Sequence, residues 1–266
     1  MERKFHLATV EPTIDITPNV AISHANDILF DWFAFEIPKG AAHIKNITCV
    51  ITGTDAVAAD QKDFDLYFAR SIDGTAPTSL GNPNAAVTAA TGSAVRKNII
   101  GRHALDSSIQ EDADAMISYN VWTLSGKTGN DRNDVEVILQ GDPEYTSTEG
   151  YQTIWVSGIA IASGANFGTG VLVNGAVSSA GAQTIAVDGT DPNDCFQIGD
   201  ELLACRSTGA SVQKIGTLTA MASDGSSITV DAKDINGTTV WDSGALEDDD
   251  EVCFRRPITI HMSLEY

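Results

Sequence analysis

The 266 residues carry 16 basic and 36 acidic side chains, a formal charge of −20, with 42% hydrophobic and 20% charged residues. That length suits one large β-domain or two moderate ones, each able to bury its own core without a disulfide or metal staple. The acidic excess is shared evenly, ten charges in residues 1–165 and ten in 166–266. No basic face is left to track nucleic acid, and an anionic membrane would repel the chain.

The N-terminus "MERKFHLATVEPT" has two basic residues but no apolar h-region, so it does not read as a signal peptide. Beyond it, period-2 alternation dominates. Ile47, Cys49 and Ile51 share one face of "ITCVI", and Phe64, Leu66 and Phe68 share one face of "FDLYFAR". Val135, Val137 and Leu139 repeat the pattern. Such alternation predicts antiparallel strands with one buried face. Clusters of Gly, Pro, Asn and Asp separate the runs, as tight turns require. The longest irregular stretch, 71–95, is poor in charge, and loops of that length are usually functional or mobile. Helix signals are thin. The best is "LDSSIQEDADAMI", where Ser108 and Glu111 have capping-box spacing, and it reads as one helical turn or coil.

Residues 150–187 hold no charge, but Gly, Ser, Asn and Gln interrupt them throughout, so they do not form a membrane span. They read as a strand followed by a Gly-rich connector, with "SGANFGTG" (163–170) as a boundary. The first 165 residues therefore predict an antiparallel β-sandwich. Residues 166–266 predict a small β-barrel of short strands joined by tight turns. In that second part, Gly199-Asp200 and Asp224-Gly225 are turn residues, while Ile215, Leu218, Ile228 and Val230 are core. Residues 234–250 read as a long hairpin loop or an extra short strand near Val240–Trp241. The final run, 256–266, is the cleanest strand: Ile258, Ile260, Met262 and Leu264 alternate with polar residues. It either closes the barrel or returns to the sandwich.

Chemistry-bearing motifs are sparse. G-x-S-x-G, the P-loop and G-x-G-x-x-G are missing, and the five histidines are scattered. Cys49, Cys195, Cys205 and Cys253 lack C-x-x-C spacing and lie in apolar runs, which points to reduced core thiols and intracellular folding. A Cys195–Cys205 bridge across a hairpin stays open. Acidic groups at Asp60, Asp63 and Asp65, at Asp131, Asp134 and Glu136, and at Glu247 to Glu251 are the places for carboxylate catalysis or calcium. "NDRNDVE" makes Asp131, Asp134 and Glu136 the calcium candidates, but it lacks the EF-hand pattern, and a solvated acidic turn is the favoured reading. No catalytic residue and no cofactor is expected. The glycosylation sequons at Asn46 and Asn236 read as accidental.

The stretch "ILFDWFAFEIPKGAAHIKNITCVITGTDA", followed by "DFDLYFARSIDGTAP", resembles a jelly-roll pattern of virion proteins of tailed bacteriophages. Its matching elements are Ile37-Pro38-Lys39-Gly40, Ile47 to Ile51, and Asp65-Leu66-Tyr67-Phe68. "GYQTIWVSGIAIASG" resembles the closing strand of the same sheet, and 196–232 resembles the small barrels appended to such proteins. The likeness covers about 60% of the chain. It implies an all-β fold, a jelly-roll-like sandwich followed by a small β-barrel. It also implies a non-enzymatic virion protein, a capsid decoration (cement) or head-fibre component assembled in the host cytoplasm. The partners would be the major capsid protein or other virion proteins, with a homo-oligomer, a trimer, as the expected state. Arg3, Lys4 and Phe5 are the expected partner contacts, reaching onto a neighbouring subunit. A carbohydrate-binding or adhesive module is the alternative, with loops 71–95 and 234–250 meeting a glycan. A carboxylate glycosidase is a third.

Overall fold

The computed structural model describes residues 4–14, 20–53, 63–105, 110–112, 119–123, 137–206 and 212–266. Among the described residues strands take 48% and helices 5%, so the fold is all-β. In chain order the first strands are β1 (Phe5–Val10), β2 (Ile28–Pro38), β3 (Ala42–Thr52) and β4 (Phe64–Ala69). The helical turn α1 (Ala89–Val95) precedes β5 (Ile99–Leu105), β6 (Gln110–Asp112), β7 (Tyr119–Thr123), β8 (Ile138–Leu139) and β9 (Tyr151–Ala160). Next come β10 (Val171–Val173), β11 (Gln183–Gly189) and the short helix α2 (Pro192–Cys195). The chain ends with β12 (Glu201–Cys205), β13 (Val212–Met221), β14 (Ser227–Val230), β15 (Glu251–Phe254) and β16 (Ile258–Glu265).

One sheet runs β1-β16-β3-β7-β6, with β8 beside the start of β3; the other runs β2-β9-β4-β5. All pairings are antiparallel, and the pairs 4 with 5, 3 with 7, 2 with 9 and 1 with 16 nest inside one another. This is a long hairpin rolled up on itself, the arrangement of a double-sheet jelly roll. The inner faces meet in one core. Ile47, Cys49 and Ile51 face Phe64, Leu66 and Phe68, and Ile258, Ile260, Met262 and Leu264 line the same interior.

The last strand thus returns to the sandwich. Its register runs from Ile258 opposite Ile51 to Glu265 opposite His43, while its other edge holds β1. Of the two courses open to the last strand, it takes the return to the sandwich, so the barrel sits in the chain between β9 and β16. Alternation along β16 demands one buried and one wetter face, and a central sheet position of the sandwich supplies both. The barrel closes in the order β10-β11-β14-β13-β12-β15. Its core holds Ile215, Leu218, Ile228 and Val230 as expected, and adds Trp241 from the segment between β14 and β15. Trp241 is a plug rather than a strand residue, with Nε1 donating to the Gly244 carbonyl at 3.3 Å. Phe196 and Phe254 meet edge to face with centroids 4.9 Å apart.

Two further expectations change. Of the stretch read as a helical turn or coil, Gln110–Asp112 is a strand paired with β7, while Ser108 lies outside the described residues. The helix α1 lies instead in the stretch read as irregular, capped by Thr88, whose Oγ1 accepts from the Thr91 amide. No disulfide joins Cys195 and Cys205; Cys205 is buried beside Leu203 and Cys253. Gly199 and Gly225 do adopt positive φ, 105° and 73°, as turn residues must.

Candidate functional site

The outward face of the sheet β2-β9-β4-β5 is covered by residues 71–98, and a cavity of about 460 Å³ remains beneath the cover. The sheet contributes Trp32, Tyr67, Ser157 and Ile159 to its lining, and the connection between β4 and β5 contributes Leu80 and Val95; the recess stays partly open to solvent. The sheet residues share one face for a simple reason. Ile154, Val156 and Ala160 of β9 point into the sandwich core, so Trp155, Ser157 and Ile159 point out. Tyr67 sits opposite Ser157 in the β4·β9 register. Trp32 reaches the same face through a bulge. Phe30 opposes Gly158 and Phe33 opposes Val156, so Asp31 and Trp32 together oppose Ser157 alone. Bulges of this kind re-aim side chains and gather beside functional sites.

The cover is tied to the sheet. Asp31 accepts from the Ser79 hydroxyl at 2.5 Å and from the Leu80 amide at 2.8 Å, and Trp32 Nε1 donates to the Thr78 carbonyl at 3.0 Å. Beside the cavity, Arg102 Nε donates to Asp65 at 2.6 Å. Burial first, then the Asp65 charge, pushes the Tyr67 hydroxyl up, so the phenol stays neutral at ordinary pH. Gly158 is tightly required: a Cβ there would sit 2.3 Å from Phe30 Cε1.

The chain matches no protein-family model. No curated protein matches it either.

The residues singled out from sequence fall elsewhere. Asp131, Asp134 and Glu136 lie outside the described residues, as do Arg3 and Asp60. Among the described residues, no group of three or more His, Cys, Asp or Glu side chains is placed to hold a metal. The run Glu247 to Glu251 answers to the protein's own donors. Asp248 accepts from the Gly175 amide, Asp250 from the Glu247 amide, and Glu251 from the amides of Thr169 and Gly170. Glu247 and Asp250 also pair with Arg206. Lys4 and Phe5 lie at the start of the sheet's edge strand; Lys4 accepts from the Tyr266 amide through its carbonyl. Asn46 lies inside β3 opposite Ser263.

A second recess, about 160 Å³, lies where barrel and sandwich join, lined by Glu11, Asp200, Glu201 and Arg256. Glu201, 5% exposed, accepts from the Ile235 amide at 2.7 Å and from Arg256 Nε at 2.8 Å, with Arg255 Nη1 at 3.4 Å. Arg256 also donates to the Glu11 carbonyl of the sandwich at 3.4 Å. This is a joint between the two units. Burial pushes the Asp200 carboxyl there upward.

Sequence reading missed Trp32 and Ser157 as a pair. Their signal is a slip in "ILFDWFAFEIP", where the core-facing apolar positions run 29, 30, 33, 35, 37, breaking the period of two. The second sign is a lone hydroxyl in the apolar run "IWVSGIAIA".

Proposed function

We propose that the chain is a non-enzymatic structural protein of a phage virion, a decoration subunit on the outer surface of the head that works as a homo-oligomer. The observation that carries this reading is the edge of the β1-β16-β3-β7-β6 sheet. Among the described residues β1 pairs only with β16, and it sets Phe5 and Leu7, 68% and 61% exposed, along that border. Edge strands with apolar side chains invite pairing, and proteins that leave them open generally use them. Jelly rolls recur in viral capsid proteins, which supports the setting. The acidic barrel, carried on the opposite chain connection, suits an outward-facing, self-repelling block.

Native mass measurement and co-sedimentation with phage particles test the reading. The expected result is a trimer bound to particles, with the double variant F5E/L7E folded but monomeric and unbound. A wild-type monomer that ignores particles would sink the proposal.

A further inference from the structure

We infer that the cavity over the outward face of β2-β9-β4-β5 is a binding site for a neutral, largely apolar small molecule that carries one hydroxyl or carbonyl group. Its volume, about 460 Å³, falls within the range of roughly 300–1,000 Å³ typical of small-molecule sites. Among the described residues no Asp, Glu, Lys or Arg lines it, so a charged ligand would lose its hydration with nothing there to replace it. The walls are aliphatic, and the indole of Trp32 offers a flat surface whose position is fixed by its bond to Thr78. A sugar would bring several hydroxyls to a chamber that has, among the described residues, the polar side chains Asn26, Tyr67 and Ser157. It would leave most of those hydroxyls unsatisfied.

The decisive group is Ser157. It is 0% exposed, and its Oγ has no hydrogen-bond partner among the described residues. A buried hydroxyl left without a partner is costly, and native proteins rarely keep one without a use. The bulge at Asp31 and Trp32 stands directly opposite this residue. The same local irregularity therefore places the aromatic wall and faces the unpaired hydroxyl. A ligand that lays its apolar body on Trp32 and its one polar atom at Ser157 satisfies both once the side chains around Ser157 give way, because the Oγ has no accessible surface in the unliganded chain.

The experiment uses the full chain and two probes, 2-naphthol and naphthalene, with glucose as a third. Binding is read by saturation-transfer NMR and by the shift in thermal midpoint. 2-Naphthol should bind more tightly than naphthalene, and glucose should not bind. Ser157→Ala should weaken 2-naphthol about fivefold to tenfold, the worth of one hydrogen bond, and leave naphthalene unchanged. Gly92→Leu should abolish binding of both. Gly92 lines the cavity, and a Cβ there meets nothing within 4 Å, so the larger side chain starts in open space. Probe binding that survives Gly92→Leu would overturn the proposal. So would a wild type that binds neither aromatic probe, or one that prefers glucose.

Discussion

His103 is 3% exposed, lies opposite Leu66 on the inner side of β5, and has an Nε2 with no partner among the described residues. Burial, with the Arg102 charge adding to it, lowers its pKa from 6.5 to about 4. The folded value lies below the unfolded one, so the folded state binds this proton less readily. Its contribution to stability is complete above about pH 6.5 and is lost as the pH falls toward 4. The gap is worth about 3 kcal/mol at the acid end. Urea midpoints measured from pH 7 to pH 4 should fall accordingly in the wild type. In His103→Leu the slope over that window should flatten, because this buried site no longer takes up a proton. Equal slopes in the two proteins would show that His103 does not carry the acid sensitivity.

At the scale of elements, irregularities in strands carry as much meaning as the strands. In β13, Gly216 pairs with Leu202 and Lys214 with Leu203, so Ile215 is the extra residue of a bulge. Gly216 has φ 103°, and a Cβ would stand 2.7 Å from Ala232 Cα. Gly216→Ala should therefore cost about 3 kcal/mol, combining backbone strain with a backbone clash. A loss below about 1 kcal/mol in denaturant unfolding would mean that the bulge relaxes freely. Regular strands were legible from sequence because burial on one face imposes a period of two, as in β16. The pairing of β16 with β1 and β3 was not legible, because partners 200 or more residues apart leave no local mark. The helix was misplaced for a physical reason. Ser108 and Glu111 satisfy a capping rule, but Glu111 is drawn into a ladder opposite Val121. Meanwhile "AATGSAV" buries only Val95, too little to produce a helical period. The cavity escaped notice because Trp32 and Ser157 face one another only across a bulge, and a bulge appears in sequence as a lapse of pattern.

For the molecule as a whole, the barrel's position in the chain decides how the two units depend on one another. β10 and β15, its incoming and outgoing strands, are paired with each other, Val171 opposite Val252. Paired Cα atoms lie about 4.5–5.5 Å apart, so the barrel leaves the sandwich and rejoins it at nearly one point. The amides of Thr169 and Gly170 on Glu251 hold that neck shut. A jelly roll needs β16 between β1 and β3, yet β16 follows β9 by almost a hundred residues. Folding the barrel first shortens that gap to the width of the neck, which lowers the loop entropy for placing β16. The sandwich should therefore tolerate removal of residues 170–254 when a short Gly-Ser bridge spans the same gap. The expected product keeps its β-sheet circular dichroism and melts cooperatively, though less stably, since Arg256 loses Glu201 at the joint. An unfolded or aggregated product would mean that the barrel supports the sandwich through the joint and not merely through the neck. The same variant separates the roles within the proposed assembly. If docking resides on β1, the barrel-free chain still sediments with particles, and the barrel is the surface displayed beyond them. If particle binding vanishes while the sandwich stays folded, the contact belongs to the barrel.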